Sequence, residues 1–354
     1  MTPERFRRYD QALEREGFDG FLSASPADAH YLTGAEDGGG FLAYRPGRPP
    51  LLVLREDWVA CARDSARGAE IRPFTLFDDP AEAVADALRL LDARRVALGS
   101  EGVIGGLAGR LGAVELVERA RLGHDLRRVK EPDEIAAMRR GAACLDAAFA
   151  ALFEAVRPGA TDREAAAAAV SAARIAGADA ITFIQVKAGP RAAYPHAVAR
   201  GRPFERDEIG FADIGAVHGA YRADYARAFT IGDPPDEARR IVETVDRVER
   251  EVVRLVEPGL AFAELYRRAG AMLAEAGYPD GLPHHLGHTI GLDGDVASLI
   301  VPTSRDAFIE GEVVCVEPAV YVASVGGARI EDMLLVGSSG NEVLSRAERV
   351  GRCG

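Results

Sequence analysis

Asp213 and Asp224 lie eleven residues apart in two runs that read as strands, and Glu317 and Glu331 lie fourteen apart in a second such pair of runs. With His288 between the two pairs, they form a set of four carboxylates and one imidazole. Hard oxygen donors with a single nitrogen suit Mn²⁺, Co²⁺, Fe²⁺ or Zn²⁺ better than Cu⁺. Two such ions roughly 3.5–4 Å apart would hold a water between them and acidify it, which supplies a hydroxide nucleophile at neutral pH.

The local sequence suggests how the carboxylates meet. Residues 208–216 read as a strand, Val217-His218-Gly219-Ala220 as a tight turn and residues 221–229 as the returning strand. With His218-Gly219 as a two-residue turn, Asp213 is predicted to stand directly opposite Asp224, Cβ atoms about 5 Å apart. Residues 313–322 and 328–336 read as strands around a Ser324–Gly327 turn region, which pairs Glu317 with Glu331. Like charges so placed repel unless cations separate them, and four carboxylates balance two divalent ions.

Any one of these acids, taken alone, would read as a solvated or locally hydrogen-bonded side chain. The joint pattern is what is specific. His284 and His288 have the spacing of a zinc-binding helix, but the glutamate of His-Glu-x-x-His is missing, and Gly287 and Gly291 argue against a helix. Cys315 precedes Glu317 by two residues and so shares its strand face, where it reads as a small buried residue beside the site.

Seven segments carry a family likeness: Val129 to Ile135, Tyr194-Pro195-His196, Asp213-Ile214-Gly215, Tyr221 to Arg227, His284 to Leu292, Glu317-Pro318, and Arg329 to Asp332. In order and spacing the chain from about Leu126 onward resembles the pita-bread (M24) metallopeptidases, the family of methionine aminopeptidase, aminopeptidase P and prolidase. It is most similar to the Xaa-Pro-cleaving branch. The likeness implies a pita-bread catalytic domain with pseudo-twofold symmetry and hydrolysis of the bond between an N-terminal residue and proline.

It also implies roles. Asp213 would bind one ion through both oxygens, Asp224 and Glu331 would bridge two ions, and His288 with Glu317 would complete one shell. Glu317 would also shuttle the proton. His196 would contact the scissile amide, His284 would line the pocket beside the prolyl ring, and Arg329 would pack against the metal glutamate; Tyr221 would take part in substrate binding. The cofactor implied is a pair of divalent ions, Mn²⁺ foremost, with Co²⁺, Zn²⁺ or Fe²⁺ also accepted by these donors. One position departs from the family pattern: Asp295 stands where a second histidine usually hydrogen-bonds the substrate or the tetrahedral intermediate. An ionised Asp accepts hydrogen bonds and cannot donate one. Asp295 therefore keeps open a hydrolase or lyase acting on a small non-peptidic zwitterion or amide. A non-catalytic binding protein of this fold is the third reading, against which the five retained ligands speak.

The elements around the site read as mixed α/β. Residues 1–124 are predicted to form a small α/β domain similar to creatinase-type N-terminal domains. Its helices are expected over 5–17 and 80–93, its strands over 20–22, 51–54 and 96–98, and Ser25 to Gly34 resembles a turn of those domains. The run Gly38-Gly39-Gly40 lacks a following Gly-Lys-Ser/Thr and is no phosphate cradle. Residues 125–354 are predicted to form the catalytic domain, with helices over 134–155, 162–176, 235–256 and 261–276. Each helix pair precedes one carboxylate hairpin, a weak internal repeat.

Whole-chain properties narrow the partners. The 354 residues carry a formal net charge of −12, and the pI is near 5.2. With no clustered basic patch, nucleic acid and anionic membranes are disfavoured. A short peptide or small zwitterion is the expected partner, and the resemblance implies a homodimer. The N-terminal stretch lacks the apolar core of a secretion signal, and Cys61, Cys144, Cys315 and Cys353 show no Cys-x-x-Cys spacing, so a reducing cytoplasm is expected.

Overall fold

The computed structural model describes residues 2–36, 40–99, 107, 110–112 and 114–354, and of residues 294–297 the backbone alone. The chain divides into two compact units, Met1–Arg127 and Arg128–Gly354.

The first unit runs α1 (Pro3–Glu16), β1 (Gly20–Ser23), α2 (Pro26–Thr33), β2 (Gly40–Tyr44), β3 (Leu51–Arg55), α3 (Val59–Ser65), β4 (Glu70–Phe74), α4 (Pro80–Leu91), β5 (Arg95–Leu98), β6 (Glu115–Glu118) and α5 (Leu122–Arg127). Its sheet has the order β4-β3-β2-β1-β5-β6 and packs Leu22, Val53 and Val96 against Leu88 and Leu91 of α4. That helix starts where Asp79 accepts the Ala81 N–H and Pro80 fixes the first turn. Ser25 to Gly34, read as a turn, contains α2, which Gly34 ends at φ +72°. Gly40 opens β2, while Gly38 and Gly39 lie outside the described residues.

The second unit begins with α6 (Pro132–Ala155), α7 (Asp162–Ile175), β7 (Ala180–Ala188), β8 (Glu208–His218) and β9 (Tyr221–Ile231). Next come α8 (Asp236–Leu255), α9 (Phe262–Glu275), β10 (Gly287–Ile290), β11 (Gly294–Leu299), β12 (Val313–Val316), β13 (Ala319–Val322) and β14 (Gly326–Arg329). Strands β15 (Asp332–Leu335), β16 (Glu342–Val343) and β17 (Val350–Cys353) close it. Sheets of order β17-β9-β8-β7 and β11-β10-β12-β15-β16 flank the short pair β13-β14.

The internal repeat is explicit at the joints between paired helices. Gly159 (φ +84°) and Gly259 (φ +91°), each after a proline, donate their N–H groups to the carbonyls of Phe204 and Phe308, both at 2.9 Å. The residues that follow, Thr161 and Ala261, bridge Pro203 and Ala307. In the first half, Thr161 and Glu164 complete a capping box.

The first hairpin corrects the predicted register. His218 pairs with Tyr221, so the turn is Gly219-Ala220; Asp213 pairs with Ala226, and Asp224 with Gly215. Both turn residues have positive φ, +58° and +71°, which is what a two-residue turn matching the strand twist demands. The slip is two residues, so both aspartates stay on one face as diagonal neighbours.

In the second hairpin the predicted register is observed, but each predicted strand is broken in two. Val316 pairs with Asp332 on one side of the break and Ala319 with Arg329 on the other. Pro318 has no N–H to continue the ladder. At the break Glu317 sends its N–H to the Leu286 carbonyl (2.7 Å), and Glu331 sends its own to the Ala226 carbonyl (2.9 Å), opposite Asp213. The strand break thus binds the second carboxylate pair to the first.

Ala220 holds a left-handed conformation that disfavours a side chain by about 1–2 kcal/mol, against the roughly 0.5–1 kcal/mol that a glycine loses through its freer unfolded state. Ala220→Gly should therefore stabilise the protein by about 0.5–1 kcal/mol, read as a higher midpoint in urea unfolding followed by circular dichroism.

Candidate metal centre

The five predicted ligands converge from five separate stretches of chain: Asp213 from β8, Asp224 from β9, His288 from β10, Glu317 from just after β12 and Glu331 from just before β15. They line a cavity of about 300 Å³ together with Phe183, Gln185, His196, His284, His285, Leu299 and Arg329. Gly287 makes the approach of β10 possible, since a Cβ there would lie 2.0 Å from the Cys315 carbonyl oxygen.

Ligand atoms of Asp213, Asp224 and Glu331 lie within 4.8 Å of one another, as do those of His288, Cys315 and Glu331. His288 Nδ1 lies 3.0 Å from the Thr289 carbonyl and so carries the proton. That leaves the Nε2 lone pair facing Asp224 Oδ2 at 3.7 Å and Glu331 Oε1 at 3.8 Å. Asp213 Oδ1, Asp224 Oδ1 and Glu331 Oε1 are buried without a hydrogen-bond partner. Burial, then neighbouring carboxylates, push Asp224 and Glu331 well above the ordinary carboxyl range. Lone pairs aimed at lone pairs in a dry site are unfavourable unless a cation stands among them. The donor set therefore fits divalent ions.

Arg329 is the charge already provided. It donates to Asp213 Oδ2 at 2.5 Å, stands 3.5 Å from Glu317 Oε2, and donates to the Tyr321 hydroxyl from Nε (3.0 Å) and Nη2 (2.7 Å). Burial alone would raise Glu317, but Arg329, with His285 and His284, reverses this and holds it at about 2. Burial, then Arg329, lowers His284 to about 4, so its ring is neutral. Its Nδ1 donates to the His285 carbonyl (2.6 Å), and Nε2 accepts from Tyr321 (2.9 Å) and Arg329 (3.2 Å). Beneath the site Arg227 donates to the Glu331 carbonyl (2.6 Å) and pairs with Asp332 (2.8 Å), fixing the backbone that carries the last ligand.

Residues 136–338 match the metallopeptidase family M24, and residues 5–127 match the creatinase/prolidase N-terminal domain. The chain belongs to metallopeptidase family M24. This M24 metallopeptidase is 27% identical to the Xaa-Pro dipeptidase of Pyrococcus furiosus over 98% of its own length and 99% of that protein. The Xaa-Pro dipeptidase from Bacillus anthracis superposes with a TM-score of 0.89 at 27% identity, covering 98% of both chains. The X-Pro aminopeptidase from Thermotoga maritima shares the fold, with a TM-score of 0.89 at 24% identity over 99% of both chains.

Of the other predicted site residues of this M24 metallopeptidase, His196 lies exposed at the cavity, its ring 6.5 Å from that of His284. Tyr221 stands apart from the cavity lining: it is buried, and its hydroxyl donates to Glu134 at 3.0 Å. Asp295 falls within β11, and its side chain lies outside the described residues. Cys315 pairs with His288 across β10 and β12, and its thiol donates to the Asp224 carbonyl at 3.3 Å. Burial, then Glu331 and Asp224, raise that thiol far above neutrality, so it stays protonated.

Sequence reasoning passed over three neighbours. Tyr321 shares the Glu317 face by strand alternation, and His285 stood inside a quoted motif. Lys187 belongs to β7, a strand that no reading anticipated. Its Nζ donates to Gln185 Oε1 (2.5 Å), Pro195 O (2.7 Å) and Tyr194 O (3.1 Å), and so holds the segment leading to His196.

Burial, then Arg329, lowers Lys187 to about 7 from 10.5. Between those values the folded chain binds fewer protons than the unfolded chain, so this group's contribution grows as pH rises and is lost as pH falls through 7. The unfolding free energy of the wild type minus that of Lys187→Met should therefore increase from pH 7 to pH 10, with a slope of up to about 1.4 kcal/mol per pH unit. Denaturant titrations at several pH values measure it, and a flat difference would contradict the shift.

Proposed function

We propose that this chain hydrolyses the peptide bond between an N-terminal residue and proline, with Xaa-Pro dipeptides as the preferred substrates. The observation that carries the reading is the convergence of Asp213, Asp224, His288, Glu317 and Glu331, three of them with unpartnered buried oxygens, on a cavity of about 300 Å³. That volume is at the small end for ligand sites and has room for a dipeptide. The likeness to proteins named Xaa-Pro dipeptidase supports it.

Asp213, Asp224, His288, Glu317 and Glu331 would hold two divalent ions, Mn²⁺ foremost, which supply the Lewis acidity that deprotonates a water and polarises a carbonyl at neutral pH. The remaining work falls to side chains. Glu317 receives the proton of the attacking water and returns it to the leaving prolyl nitrogen. Arg329 keeps Glu317 ionised and, by donating to Asp213, holds both carboxylates in place. His196 meets the scissile amide, and His284, neutral and fixed by Tyr321, lines the prolyl side. The acids around Asp213 receive the free amino terminus. The enzyme acts in the cytoplasm, as a homodimer.

Metal-stripped protein should be inactive and should regain Ala-Pro and Leu-Pro hydrolysis when refilled with Mn²⁺, Co²⁺, Zn²⁺ or Fe²⁺, with Ala-Pro-Ala slower and Ala-Ala untouched. No turnover by protein holding two ions would shift the reading to a non-peptidic amide or zwitterion. Glu331→Gln should lose bound metal and at least about 100-fold in kcat/KM, more than loss of an outer partner of a metal ligand costs; elemental analysis beside the assay separates lost metal from lost chemistry.

A further inference from the structure

His285 is not among the five donors, yet its ring is placed like one. Its Nδ1 is shielded from solvent and lies 3.0 Å from Glu317 Oε1, without the alignment of a hydrogen bond and with no other partner. The ligand atoms of His284, His285 and Glu317 gather within 4.8 Å. His284 is already committed on both nitrogens, to the His285 carbonyl and to Tyr321 and Arg329. Of the two imidazoles beside Glu317, His285 is therefore the one with a nitrogen to give. Two donors at ~2.1 Å from one ion lie ~3 Å apart when they subtend a right angle there and ~3.4 Å at the tetrahedral angle; the 3.0 Å seen here fits the former.

We propose that His285 is a sixth protein ligand, giving Nδ1 to the ion that Glu317 holds. The inference rests on the two-ion reading above and deepens it. With His288 the centre then offers two imidazoles, one more than the family likeness implies. Nitrogen donors favour the later ions of the series Mn²⁺ < Fe²⁺ < Co²⁺, so His285 adds more to the affinity for Co²⁺ or Fe²⁺ than to that for Mn²⁺. It stands at the cavity edge, its side chain 30% exposed, and its removal leaves the strands that carry the other ligands in place.

The test uses full-length wild type, His285→Ala and His285→Gln, stripped and titrated calorimetrically with Mn²⁺ and Co²⁺. Zinc-loaded samples are compared by X-ray absorption, which counts imidazoles per metal. The wild type should bind two ions. Both variants should also bind two, with one step weakened roughly 10–100-fold for Co²⁺ and less for Mn²⁺, and with imidazole scattering per zinc reduced to about half. Unchanged scattering overturns the proposal even if affinity falls, because His285 would then act only through its contact with Glu317. Equal loss for both metals with unchanged scattering overturns it likewise. A wild type that binds no ions overturns the two-ion reading itself, and His285 with it; two ions in the wild type and in both variants, with unaltered affinity and scattering, overturn His285 alone.

Discussion

Four carboxylates share a pocket in which, among the described residues, Arg329 is the one arginine or lysine paired with them, and the strands of the second unit hold them together against their mutual repulsion. Such a concentration of like charge would drive the strands apart if any of them ended in a free loop. Each acid is instead anchored through its backbone. Asp213 and Asp224 sit inside continuous ladders, while Glu317 and Glu331 bond across to Leu286 and Ala226. The buried Arg227–Asp332 pair lies directly behind Glu331. A buried pair of this kind gives little net stability, but here it fixes the position of a backbone.

The outer polar groups form a graded chain of roles. Arg329 touches Asp213, Glu317, Tyr321 and His284, so one guanidinium holds two carboxylates in place, keeps Glu317 ionised and sets the tautomer of a neighbouring imidazole. Lys187 works one layer further out, on the carbonyls before His196. Neither acts on a bond to be broken. Both determine where the groups that would do so can stand.

The sequence exposed the cluster of acids around His288 because carboxylates in apolar strands have few other reasons to gather, and because paired strands turn spacing into proximity. It exposed the faces better than the partners. The two-residue slip at Gly219-Ala220 left both aspartates on the predicted side, since alternation depends only on parity. It hid the break at Pro318, where the ladder changes sheets, and it hid α2 within Ser25 to Gly34. Tyr221 was misplaced for a related reason: it neighbours Asp224 in sequence, but its hydroxyl ends on Glu134 of α6. Lys187 and His285 carry no periodic signal, and their contacts, Lys187 with the Tyr194 and Pro195 carbonyls and His285 with Glu317, become visible only once the chain is folded.

The paired joints at Gly159 and Gly259 have a consequence for ancestry. Each half contributes a helix pair and a hairpin, yet the first half owns only the two aspartates, and every imidazole and glutamate ligand comes from the second. Neither half could enclose the centre by itself. A half-length ancestor would have had to associate with a second copy to close the same pocket, and the hydrogen bond from Glu331 to Ala226 would then be the remnant of a subunit interface that fusion turned into an interior.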